Sequence, residues 1–416
     1  MSWNRIILTL LLSINVSTSI LYAQKISISE DELIMRGILY NEYKSYENSY
    51  EVYKELFDTT QAEVYLFKEA TASLLGDIHI LDSIKRLKMW DDKYPNTLEV
   101  RRLLIPLYLT ARQVENAKIE AEFLLESSNN ALDLDLASNT FLYGGEFERA
   151  LVLLSKIYET VPRESILIRM VEIMDELTGE RKKAIQLLET HRRINIVSEE
   201  IYIRLLRLYQ KEKDIDGILE TYKDMYALDN KEEYLNNIID AYSYKRDFSS
   251  AIVFLEKEKR KPKILYELYK IKQDFTKAID LLDILYKKDN DAKWLAEKGI
   301  LLFENAEDKD DKKMIKNVLY YLEKAIVLGK DDSLYLNYYG YTLIEKEVDI
   351  KKGMKFIKNA LMQQPDNTYY LDSLAWGHYK SGECSEAYTL MKRVVEEEGL
   401  EEIEIIRHWD AIRKCQ

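Results

Sequence analysis

Four histidines and two cysteines are all the imidazole and thiol chemistry that this 416-residue chain offers. His79, His191, His378 and His408 lie far apart. None belongs to a His-Glu-x-x-His segment, the spacing that sets two imidazoles on one helix face around zinc. Carboxylates cluster most densely in Glu304–Lys313 (ENAEDKDDKK), where Asp308, Asp310 and Asp311 could be imagined around calcium. An EF-type loop needs ligands at fixed alternating positions, a glycine at the turn and a closing glutamate. Those are missing, and the run reads as a solvated loop. Glu199-Glu200 and Glu396-Glu397-Glu398 are solvated helix faces in a chain that is 32% charged. There is no Gly-x-x-x-x-Gly-Lys loop to cradle a phosphate, no Gly-x-Gly-x-x-Gly after a strand and no Gly-x-Ser-x-Gly elbow. The expectation is a chain without catalytic residues, metal ligands or a cofactor.

Composition narrows the classes further. Sixty Lys and Arg against 73 Asp and Glu leave a net charge of −13. That balance lacks the basic footprint of a nucleic-acid binder and disfavours lying flat on anionic lipid. Only 13 Gly and 5 Pro interrupt the chain, so long helices run largely unbroken. Tyr outnumbers Phe by 31 to 10. A tyrosine packs its ring while its hydroxyl stays wet, which suits a fold with much exposed surface. At the N-terminus a short segment with one charged side chain, Met1–Arg5, precedes the apolar run Ile6–Leu12 and small polar residues ending in Leu21-Tyr22-Ala23. This reads as an export signal, residues 1–23, cleaved after Ala23. The alternative is an uncleaved anchor, which Ser13, Asn15, Ser17, Thr18 and Ser19 make a poor span. No later segment is apolar enough to cross a membrane, so no stable span is expected after cleavage.

The elements that would position any site repeat along the chain. Small or apolar anchors fall at Ser49, Ser83, Ala117, Ala150, Ala184, Ile218, Ala251, Ala278, Val318, Gly353 and Ala387. Successive spacings are 34, 34, 33, 34, 34, 33, 27, 40, 35 and 34. Tyr108, Tyr209 and Tyr242 precede their anchors by nine, Gly145 and Gly382 by five, and Pro95, Pro162 and Pro365 follow theirs by twelve. The clearest stretch runs from Leu336 to Ala387 through Leu-Asn-Tyr-Tyr-Gly-Tyr, Asn359-Ala360-Leu361, Gln364-Pro365-Asp366-Asn367 and Asp372-Ser373-Leu374-Ala375-Trp376.

In period and in these marks the chain resembles tetratricopeptide repeat proteins, in particular those of bacterial envelopes. The resemblance implies an all-α, right-handed superhelical solenoid of about eleven helix pairs over residues 24–394, with a capping helix over 395–416. It implies that each first helix faces a groove. The inward positions are then Tyr65, Lys68, Arg102, Asp135, Asn139, Tyr143, Arg207, Asn236, Asp240, Tyr244, Asn337, Tyr341, Asp372, Trp376 and Tyr379. Of these, Trp376 is the foremost contact candidate, or else it packs under the cap. His378 takes an inner-helix place usually held by an aromatic and reads as a packed side chain. The function implied is a non-enzymatic scaffold that binds protein partners in the cell envelope, most simply the periplasm. The alternative is a carbohydrate-binding accessory of exopolysaccharide or peptidoglycan machinery.

Two interruptions break the period. The basic run Lys259–Lys263 shortens one repeat and offers a hinge, and the charged insertion 304–313 lengthens the next. Ile218 and Val318, larger than the other anchors, predict shifted packing. Past the last repeat, Ile403, Ile405, Ile406, Trp409 and Ile412 sit at helical spacing and would cover the open end. Cys384 lies just before its anchor, and Cys415 falls close to the same edge one period later. Neighbouring layers at that edge can approach to disulfide distance, so Cys384 and Cys415 are candidates for a bridge, with side-chain direction left open by the sequence.

Overall fold

The computed structural model describes residues 29–415. The expected leader, residues 1–23, lies outside them. Regular structure among the described residues is helical throughout, and no described helix is long and apolar enough to cross a membrane. The chain divides into two compact units between Asp229 and Asn230.

In the first unit consecutive helices pack in pairs: Glu30–Glu42 with Tyr46–Thr60, Glu63–Gly76 with Ile80–Lys93, Leu98–Thr110 with Val114–Ser127, and Ala131–Tyr143 with Phe147–Thr160. Glu164–Glu172, continued by the π-helical turn Ile173–Leu177, pairs with Arg181–Ile194, and Glu199–Glu212 with Ile215–Leu228. The second unit pairs Glu232–Lys245 with Phe248–Glu258, Pro262–Ile271 with Phe275–Asp289, Lys293–Glu304 with Lys312–Val327, Ser333–Glu345 with Ile350–Gln363, and Thr368–Lys380 with Cys384–Glu398. A single helix, Ile403–Cys415, packs on the last pair. Each unit is thus a stack of tetratricopeptide-like helix pairs, in which one pair buries the apolar stripe that its neighbour cannot bury alone.

Local chemistry starts the helices where the period requires. Asp214, Asp247, Asp274 and Asp349 each stand four residues before an anchor, and each side chain accepts the backbone N–H three residues on. That N-cap satisfies a donor the helix cannot. Gly145 and Gly382 end the preceding helices at φ +76° and +79°, a region that costs other residues strain.

Ten of the eleven anchors are buried; Ile218 is half-exposed. The reason is steric. At that crossing the close approach is taken by Gly217, where a Cβ would lie 2.4 Å from the Tyr209 ring. Val318 keeps its buried place because the facing helix yields instead: a Cβ on Gly299 would meet Leu322 Cγ at 2.8 Å. The tightest pair, Ser333–Glu345 against Ile350–Gln363, touches backbone to backbone, since a Cβ on Gly353 would stand 2.6 Å from the Gly340 carbonyl oxygen.

The tyrosines do something other than keep their hydroxyls wet. Tyr50 donates to Asp82 Oδ2 at 2.8 Å, Tyr65 to Glu30 Oε1 at 2.7 Å, and Tyr209 to Glu189 Oε1 at 2.6 Å. Tyr266 and Tyr335 converge on Glu297, and Tyr269 donates to Glu256. A buried ring with a hydroxyl bonded to a carboxylate ties helices together without leaving a polar atom unmet. Burial, reinforced by these carboxylates, raises the phenol pKa of Tyr50, Tyr209, Tyr266, Tyr269 and Tyr335. The hydrogen bond from Tyr50 in turn lowers that of Asp82.

The two interruptions have structural accounts. Lys259 and Lys261 adopt left-handed φ values of +52° and +54°, and Pro262 opens the next helix. The turn is held by Arg260, which reaches Glu232 Oε2 at 2.8 Å, and by Lys261 on the same carboxylate. Lys259–Lys261 therefore forms a tight turn within the second unit, and Pro262 and Lys263 begin the next helix. In the charged insertion, Asp308 accepts from the Asp310 amide, Asp311 caps the following helix, and Asp310 pairs with Lys346 at 2.7 Å.

Candidate functional site

The inward positions read from the sequence fall into structurally different groups. In the first unit several are ties between helices. Tyr65 is buried on Glu30. Arg102 grips the fully buried Asp133 with two hydrogen bonds of 2.8 and 2.9 Å, which hold the Asp133 carboxyl below its ordinary pKa. Asn139 accepts from Arg169 at 2.7 Å, and the same guanidinium pairs with Asp135. Lys68 is exposed, its ammonium 5.5 Å from the Tyr53 ring centroid. Tyr143, 72% exposed, shares a shallow groove with Asn139 and Leu136. Arg207 is exposed on its own helix. In the second unit Asn236, Asp240 and Tyr244 form one exposed row along Glu232–Lys245.

Asn337, Tyr341 and Asp372 come together. They line a cleft of about 790 Å³ in the second unit, a size typical of sites that hold a defined ligand. Its walls come from four places. Phe303, Glu304 and Lys309 belong to the insertion and the helix end before it; Asn337, Tyr338, Tyr341 and Glu345 to the helix Ser333–Glu345; Tyr369, Asp372 and Ser373 to Thr368–Lys380; and Ile403, Glu404 and Arg407 to the final helix.

The final helix is fixed to the cleft floor by polar contacts that the apolar stripe does not foretell. Ile405 and Ile412 are buried and Trp409 is half-buried, stacked on Tyr388. Ile403 is 86% exposed at the cleft, and Ile406 is also exposed. The fully buried polar residue of this helix is His408. Its Nδ1 lies 2.9 and 3.0 Å from the two Asp372 oxygens, and its Nε2 lies 3.1 Å from Arg407 Nη2. A guanidinium only donates, so Nε2 accepts and Nδ1–H donates to Asp372. Burial raises the Asp372 pKa, and the hydrogen bond from His408 pulls it back in part.

Trp376, the foremost contact candidate, is 6% exposed and therefore does not present its ring to a partner. It stacks between His408 and Tyr379, and its Nε1–H donates to Glu345 at 2.7 Å. Glu345 also pairs with Arg407 at 3.2 Å, and Tyr341 donates to Glu404. Tyr379 and His378 are both half-buried, the latter beside Glu383. Cys384 and Cys415 are joined by a disulfide with Cα atoms 5.6 Å apart, fastening the final helix to the last pair.

The sequence reading omits Tyr338, Tyr369, Glu304 and Arg407, which line the cleft as fully as the residues it names. Their only sequence signal is that an insertion and a terminal helix flank the most regular repeats. One group of possible metal ligands also assembles among the described residues, Glu47, Glu51 and His79 in the first unit. All three are exposed, and His79 Nε2 already lies 2.9 Å from Glu47.

No protein-family profile and no curated protein matches the chain. Solved structures do resemble it. The APC/C hetero-tetramer Cut9–Hcn1 matches at 11% identity and TM-score 0.35, over 95% of this chain and 98% of that one. YrrB, a tetratricopeptide protein with an unusual peptide-binding site, matches at 13% and 0.36, over 45% and 97%. MamA from Desulfovibrio magneticus RS-1 matches at 18% and 0.34, over 41% and 97%. At such scores no residue of one protein is placed on a residue of another, and the fold stands on the helix pairing above.

Proposed function

We propose that the protein is an exported, non-enzymatic scaffold of the cell envelope, most simply the periplasm, that holds partner proteins on the first helices of its repeats. The cleft at Asn337, Tyr341 and Asp372 carries this reading. It combines aromatic walls with hydrogen-bonding groups on rigid helices, the character of a recognition surface. The buried imidazole of His408, behind the cleft, has both nitrogens engaged, by Asp372 and Arg407, which is the arrangement of a structural tie. The apolar leader supports export, and a disulfide suits an oxidising compartment.

The test is photo-cross-linking in the cell from a photoreactive residue at Tyr338 or Tyr369, with Ile119 on an outer helix as the control position. Capture of one or two envelope proteins from the cleft positions, and not from Ile119, is expected. Capture of glycan alone would move the reading to a carbohydrate-binding accessory. Equal capture from Ile119 would remove the cleft as the site.

A further inference from the structure

The cleft contains three cations and four carboxylates, and their partners differ. Lys309 donates to the carbonyls of Phe303 and Glu304, Lys346 pairs with Asp310, and Arg407 is held by Glu345 and Glu404. An anionic ligand would have to break these pairs while facing Asp372 and Glu404. The acceptors are less fully used. The Glu304 carboxylate has no hydrogen-bonding or ionic partner among the described residues. Asn337 Oδ1 is buried beside the cleft with no donor. An orphaned buried acceptor costs free energy, which an N–H donor reaching it from the cleft would recover. The rings of Tyr338, Tyr341 and Tyr369 line the same cleft.

We infer that the cleft takes a cationic segment of a partner protein. A lysine or arginine side chain enters with its charged end toward Glu304 and Asn337 and its alkyl stem against Tyr338, Tyr341 and Tyr369. A long side chain of this kind combines an apolar stem with a charged head, and aromatic faces attract the head as well. The chain's net charge of −13 steers such segments toward it. This inference rests on the reading of the cleft as a partner site.

The experiment is fluorescence anisotropy on the full oxidised chain at physiological salt. The probes are fluorescein-labelled hexalysine, hexaglutamate and fully acetylated hexalysine. Hexalysine is expected to bind in preference to the other two. Glu304→Gln should weaken it about fivefold or more, as loss of a charged hydrogen-bond acceptor does. Glu51→Gln, which removes the same charge from an exposed position in the first unit, should leave it unchanged. Glu304 is itself exposed, so its variant keeps the fold. Equal weakening by Glu304→Gln and Glu51→Gln would reduce the binding to general attraction and overturn the inference. Preference for hexaglutamate or acetylated hexalysine, lost in Tyr338→Ala, would overturn the cationic occupant and leave the cleft a partner site. Cross-links from Ile119 equal to those from Tyr338 would remove both.

Discussion

The imidazole of His408 lies flat on the indole of Trp376, with ring centroids 4.1 Å apart and planes 18° from parallel. One comes from the final helix and the other from the inner helix of the last pair, so the stack fastens one to the other. Trp376→Ala should then act first on stability. A buried aromatic truncated to Ala costs about 3–5 kcal/mol. Urea unfolding followed by near-ultraviolet circular dichroism would show it, whereas Tyr244→Ala, at a site 77% exposed, should change stability by no more than about 0.5 kcal/mol. A Trp376→Ala protein as stable as wild type would contradict the packing role.

The disulfide closes a segment of 31 residues in sequence separation. Reduction should cost about 2–4 kcal/mol. Melting with and without reductant measures the loss. The Cys415→Ser variant should melt like the reduced protein and be insensitive to reductant. Two thiols labelled in native, unreduced protein would sink this.

Gly353 offers a test in which two effects have opposite signs. In an exposed helix Gly→Ala stabilises by about 1 kcal/mol. At Gly353 the added carbon would stand 2.6 Å from a backbone oxygen that cannot swing aside. Gly353→Ala should therefore destabilise by about 1–3 kcal/mol, as overpacking does. Thermal unfolding of the variant decides the sign.

The tyrosine–carboxylate ties predict an alkaline weakness. Because the folded phenols of Tyr50, Tyr209, Tyr266, Tyr269 and Tyr335 titrate above their ordinary value of 10.0, the folded state keeps protons that the unfolded chain loses. Stability from these groups is complete below pH 10 and declines as pH rises beyond it. Melting temperatures between pH 8 and pH 11 should fall steeply only past pH 10, and Tyr266→Phe should flatten the fall.

Glu69 predicts a slope of its own near neutrality. It is fully buried, and burial pushes its carboxyl up to about 7 even though Arg86 contacts it at 2.7 Å. Between the ordinary 4.5 and that value the folded state holds a proton the unfolded chain lacks. The contribution of Glu69 to stability therefore increases as pH falls from 7 toward 4.5. Glu69→Gln should remove that part of the pH dependence in urea titrations, and an unchanged profile would refute the assignment.

Period and turn positions were legible because they are set by residues close in sequence: a small anchor, a glycine five before it and a proline twelve after. The one anchor left half-exposed is Ile218, where the small residue is the preceding Gly217. The cleft was less legible. Asn337, Tyr341 and Asp372 follow from the repeat register, but Glu304 and Arg407 arrive from a loop and a terminal helix whose placement no period dictates. Trp376 could not be assigned between contact and packing until His408, 32 residues later, was seen to cover it. His408 carried no signal in the sequence beyond its distance from the other three histidines.

The cleft draws its walls from Phe303 through Arg407. A chain cut before Ile403 would retain every helix pair and read as nearly whole by size and helicity, yet have a trough open on one side where the cleft should be. On the proposal that the cleft is the partner site, binding is a stricter proof of intact product than folding is, and a tag fused beyond Cys415 would sit beside the part of the molecule it is most able to disturb.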